Sequence, residues 1–78
     1  MLSKKISDAA AHVEVGALFT HYKDPTKRYK VLSIGIQEWD DEPCVVYEWQ
    51  YSPRFVFVRP LSNWLETVDG FLRFQKAT

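Results

Sequence analysis

The chain predicts an all-β domain: a small, strongly bent five-stranded barrel with a short helical turn before its last strand. Three observations lead there. Runs of β-branched and aromatic residues alternate with Pro-, Gly- and Asp-bearing breaks from residue 17 onward. Just after Pro60 the apolar spacing changes from the strand period to the helical one. Finally, 78 residues make one domain, and a flat sheet of so few strands exposes edges that closure removes.

The elements follow in order. Residues 1–14 read as a tail or a short helix. Ser7 and Asp8 stand as N-caps before Ala9, Ala10 and Ala11, but isolated short helices are marginal in water. This segment is expected to pack loosely or not at all on the domain of residues 15–78, whose compact part Gly16 opens. Residues 17–22 form the first strand. Residues 23–28 are a polar loop turned by Pro25. Residues 29–39 form the second strand, with Gly35 marking a bulge or bend. Residues 40–43 are a tight acidic turn. Residues 44–51 are a third strand, with Val45, Tyr47, Trp49 and Tyr51 on one face. Residues 52–54 turn the chain, and 55–59 form a strand stopped by Pro60. Leu61, Trp64, Leu65 and Val68 recur at helical spacing behind Pro60. Asp69 and Gly70 then turn into a last strand, 71–76. An SH3-like barrel has this order of parts.

Composition narrows the function classes. Ten basic and ten acidic side chains cancel, which counts against a dedicated nucleic-acid binder. A single cysteine, Cys44, has no disulfide or zinc partner and points to an intracellular, cytoplasmic setting. No run reaches the ~20 apolar residues of a spanning helix, so no membrane partner is expected. Nor is a cofactor or a metal. His12 and His21 are the only histidines, and the Glu38–Glu42 stretch lacks calcium-loop spacing.

His21, Tyr22 and Lys23 are followed by Tyr29–Leu32, then Val45–Tyr47, Tyr51, Val58–Leu61 and Trp64–Val68. In this order and spacing the chain resembles the small bacterial family called domain of unknown function 1653, over residues 17–74. Asp24 stands where the family has a glycine, Phe19 where a tyrosine is usual, Phe57 where a tryptophan is common, and Trp64 where a phenylalanine is. The resemblance implies an SH3-like barrel and no reaction.

The twelve aromatic side chains are first of all core material for so short a chain. Arg59 is the exception to follow. It is a charge at a strand end among apolar residues, bonded within its own chain (Glu48, Glu66 or loop carbonyls) or offered to a ligand. The leading expectation is a non-catalytic binding or adaptor module. Its aromatic groove takes a peptide or small ligand through His21, Tyr47, Tyr51, Arg59 and Trp64. The alternatives are RNA or DNA binding through Lys23, Lys27, Arg28 and Lys30, and a small enzyme using His21. No Ser-His-Asp or Cys-His spacing supports the enzyme. The charge polarity between the basic 23–30 region and the acidic 38–42 turn leaves self-association, as a homodimer, open.

Overall fold

In a computed structural model, residues 2–77 are described. Five strands form one antiparallel sheet: β1 (Leu18–His21), β2 (Asp24–Ile36), β3 (Pro43–Trp49), β4 (Val56–Pro60) and β7 (Phe74–Lys76). The ladder order is β4-β3-β2-β1-β7, and β5 (Thr67–Val68) pairs with β6 (Phe71–Leu72) as a separate hairpin. Helices α1 (Leu2–His12) and α2 (Leu61–Trp64) complete the chain. The all-β expectation holds. The expected closure does not occur as a ladder, because β4 and β7 are not paired and the sheet stays open between them. β7 is only three residues long and its register lies on β1. Side chains span the seam instead, with the Arg59 guanidinium 5.1 Å from the centre of the Phe74 ring. No described helix is long and apolar enough to cross a membrane.

Several local expectations are corrected. The described part of the N-terminal segment, residues 2–14, does not pack loosely: Ala9 and Val13 are buried, and Val13 belongs to the core. The helix begins well before Ser7, because Leu2, Ile6, Ala9 and Val13 make an i, i+4, i+7, i+11 stripe. At φ 90°, Gly16 then turns the chain into β1, and its N–H donates to Val31 O at 2.8 Å.

The expected loop 23–28 is mostly strand. The turn is only Tyr22–Lys23, and pairing jumps from Thr20↔Arg28 to His21↔Asp24. Residues 25–27 therefore bulge from the ladder, where Pro25 leaves no N–H unpaired. The Asp24 carboxylate accepts from the Thr26 N–H at 3.1 Å and from its hydroxyl, which fixes the bulge.

Gly35 pairs regularly with Cys44, and the expected bulge there is at Leu32 instead. The reason is parity. Val31 is buried and Ile34 packs on the core, yet they are three residues apart. An extra residue between Val31↔Tyr47 and Ser33↔Val46 puts both on one face. β2 ends at Ile36, not at residue 39, and a loop over 37–42 replaces the tight turn. Gln37 N–H donates to Glu42 O at 2.8 Å, and Asp41 takes φ 58°.

After Pro60 comes the expected single helical turn. Asp69 and Gly70, at φ 52° and 84°, have the left-handed pair that a tight hairpin requires. The last strand, 71–76, breaks at Arg73: Phe71–Leu72 serve β5 and Phe74–Lys76 serve β1. The core comprises Val13, Phe19, Val31, Val45, Tyr47, Trp64 and Phe74. At its centre Trp64 and Phe74 stack face to face, 3.8 Å apart.

Candidate functional site

The pleat gathers aromatic side chains on one face of the sheet. His21 lies opposite Phe74, Tyr47 opposite Phe57, and Val45 opposite Arg59. Opposed residues share a face, so β1, β3, β4 and β7 aim His21, Tyr47, Phe57, Arg59 and Phe74 at one place. With Tyr29 from β2 these residues line a cleft of about 210 Å³ at the open seam. The rings meet mainly edge to face: Tyr47 and Phe74 centres are 5.6 Å apart, His21 and Phe74 5.0 Å, Tyr29 and Tyr47 5.6 Å.

Arg59 is partly buried in this cleft. Its Nε donates to the Tyr47 hydroxyl at 3.1 Å, and Nη1 donates to Asn63 Oδ1 on α2. Neither expected carboxylate reaches it. Glu48 pairs with Arg54 at 3.5 Å and Glu66 with Arg73 at 2.8 Å. Among the described residues Arg59 has no ion pair, so its charge faces only neutral acceptors and rings.

His21 Nδ1 accepts the Lys23 N–H at 3.2 Å. In the neutral ring the proton then sits on Nε2. Burial pushes the His21 pKa down, and Arg59, Arg73 and Lys23 lower it further. His21 is thus a neutral donor, and the Lys23 amide occupies the lone pair that a general base would need. A stability effect follows. The unfolded chain takes up this proton as pH falls through 6.5, before the folded one does. The His21 contribution is therefore complete above 6.5 and lost as pH falls toward the lowered folded pKa. Urea unfolding between pH 7 and about 5 is expected to show stability decreasing with acid, and His21→Gln to flatten that slope. An equal slope in the variant would refute it.

Burial also raises the Tyr29 pKa, keeping the phenol protonated. The Cys44 thiol is pushed up by burial and then by Glu42 and Asp40. It is buried, with Sγ 3.7 Å from Glu42 O, and is a poor nucleophile.

Of the expected site residues, the structure brings His21, Tyr47 and Arg59 together. Trp64 does not line the cleft. It is 2% exposed and supports the cleft from beneath through Phe74. Tyr51 lies elsewhere, its ring 4.8 Å from Trp49 and 5.2 Å from Lys27 Nζ. Tyr29, Phe57, Asn63 and Phe74 were not expected at the site. Strand parity counted back from Arg59 and Tyr47 carries the signal for Phe57, which sits directly opposite Tyr47.

Of the basic residues Lys23, Lys27, Arg28 and Lys30, Arg28 and Lys30 share a strand face, Lys27 belongs to the bulge, and Lys23 lies near the Tyr22 ring. Lys27 lies over Trp49 and Tyr51, while Arg28 and Lys30 sit opposite Thr20 and Leu18, and Lys30 faces Glu48 on β3. Among the described residues no three His, Cys, Asp or Glu side chains gather as a metal site.

No curated protein and no solved structure matches the chain. A family model does, over residues 17–76, which takes in the whole sheet and every residue of the cleft. The chain belongs to the family described as "Protein of unknown function (DUF1653)".

Proposed function

We propose that the protein is a small, non-catalytic binding module whose aromatic cleft holds a carboxylate-bearing small ligand or peptide group against Arg59. One observation carries this: a partly buried guanidinium among rings, with neutral acceptors and, among the described residues, no counter-charge. A carboxylate at ~4 Å is worth ~4 kcal/mol before its own desolvation, at the effective dielectric of a protein surface. Tyr47 and Asn63 hold the fork, neutral His21 offers a further donor, and Phe57 and Phe74 supply apolar walls. The SH3-like barrel belongs with this proposal. It is supported by the ladder order β7-β1-β2-β3-β4 and the helical turn before the last strands. A cytoplasmic setting is supported by the lone buried Cys44 thiol. No observation favours the nucleic-acid or enzyme alternatives.

The test uses benzoate and its neutral isostere benzamide, followed by amide chemical shifts. Benzoate is expected to shift Tyr47, Arg59 and Phe74 saturably, and benzamide far more weakly. Equal shifts from both, or shifts centred outside the cleft, would overturn the proposal.

A further inference from the structure

Among the described residues β4 is an outer strand that pairs with β3 alone. The direction of its free backbone groups follows from one bond. Trp49 N–H donates to Phe55 O at 2.9 Å, one step beyond the pair Glu48↔Val56. Bonded and non-bonded pairs alternate along an antiparallel ladder. Phe57 and Arg59 therefore turn their N–H and C=O toward β3, while Val56 and Val58 turn theirs outward. Pro60 falls on the same outward row, where it has no N–H to leave unpaired. The register from Cys44↔Pro60 to Glu48↔Val56 runs without a bulge. Val56, Phe57 and Val58 are 53%, 41% and 64% exposed. A straight apolar edge of this kind is a template for another strand.

Charge selects the occupant. Residues 54–60 carry two arginines and no carboxylate. Arg54 already has Glu48, whereas Arg59 has no carboxylate partner among the described residues. A second copy pairing through β4 would bring two more arginines to the edge and no acid. An acidic strand supplies the missing charge. On an added strand, the row that shares a face with Phe57 and Arg59 projects over the cleft. The other row lies beside Val56 and Val58.

We propose that β4 receives an extended acidic peptide as an added strand. It bonds to the outward N–H and C=O of Val56 and Val58 and sets a glutamate or aspartate side chain against Arg59. This rests on the cleft being the binding site and names its partner: a peptide recognised by strand addition.

The probe is a capped peptide of alternating threonine and valine, about nine residues long, with one central threonine replaced by glutamate. Bound peptide is expected to slow hydrogen exchange at the Val56 and Val58 amides by about tenfold or more, while the Phe57 amide stays as it was. Backbone N-methylation of the residues facing Val56 and Val58 removes donors without touching charge. It should weaken binding at least about tenfold, and so should glutamate-to-glutamine replacement in the peptide. If benzoate still binds the cleft but the N-methylated peptide binds as well as its parent, strand addition is overturned and the cleft stands. If Val56 and Val58 become protected by peptide while benzoate never reaches the cleft, the cleft fails, and the Arg59 half of the proposal fails with it. Equal binding of the glutamine peptide overturns the acidic choice. Concentration-dependent protection of Val56 and Val58 without peptide overturns it in favour of a second copy.

Discussion

Trp64→Ala is expected to lower the unfolding free energy by ~3–5 kcal/mol, the cost of truncating a large buried aromatic. A domain of this length has roughly 4–12 kcal/mol in total, at 0.05–0.15 kcal/mol per residue, so the substitution removes a large share of it and, at the low end of that range, unfolds much of the variant. The size follows from position. Trp64 sits on the four-residue α2, whose own propensity cannot hold it. Its ring stacks on Phe74 of β7 at 3.8 Å and meets Phe19 of β1 at 5.3 Å and Tyr47 of β3 at 5.0 Å. One side chain thus joins the helical turn to three strands at the seam the ladder leaves open. Trp39 is 81% exposed, and Trp39→Ala should stay within ~0.5 kcal/mol. Denaturant unfolding of both variants decides it. A Trp64→Ala cost no larger than that of Trp39→Ala would mean that Trp64 does not hold the seam.

The order of strands and the turn after Pro60 were legible because each rests on a local signal: alternation, a turn residue, a change of period. What was not legible depends on two segments agreeing. Nothing around Gly35 distinguishes it from a bulge. The bulge moves to Leu32 only because β3 presents Val45 and Tyr47 in register with Ile34 and Val31. Likewise the 23–28 stretch looks like a loop by composition, and pairing with Thr20 and His21 extends it into strand. The N-terminal helix was underestimated for a related reason. Its four-residue apolar stripe is weak by itself and gains stability from the sheet beneath Ala9 and Val13. At the site, Arg59 stood out as a charge without packing need, and Tyr47 followed from strand parity. Tyr51 and Trp64 are aromatic, as most cleft members are, but differ in place. Tyr51 lies beyond the end of β3, and Trp64 is turned inward by α2.

Arg59→Gln is expected to weaken benzoate binding by ~1.5–3 kcal/mol, the worth of hydrogen bonds to a charged group, or roughly 10–150-fold. Arg59→Lys should fall between, because it keeps the charge and loses the planar fork that Tyr47 and Asn63 hold in place. Stability should respond differently. The guanidinium gains two hydrogen bonds to neutral acceptors and a contact with the Phe74 ring, but among the described residues it holds a partly buried charge with no carboxylate paired to it. These terms oppose one another, since an uncompensated charge loses hydration that neutral acceptors only partly replace. Removing the charge while keeping an amide that can still bond should therefore shift the unfolding free energy by less than ~1 kcal/mol, near the limit for a single net hydrogen bond. A purely structural Arg59 gives the opposite pattern. Both variants would lose ~2–3 kcal/mol of stability, as for charge-assisted bonds broken without compensation, and whatever folds would bind benzoate as the parent does. Measuring unfolding and benzoate titration on the same three proteins separates the two, because only a binding role orders affinity as Arg, Lys, Gln while the unfolding free energies stay together.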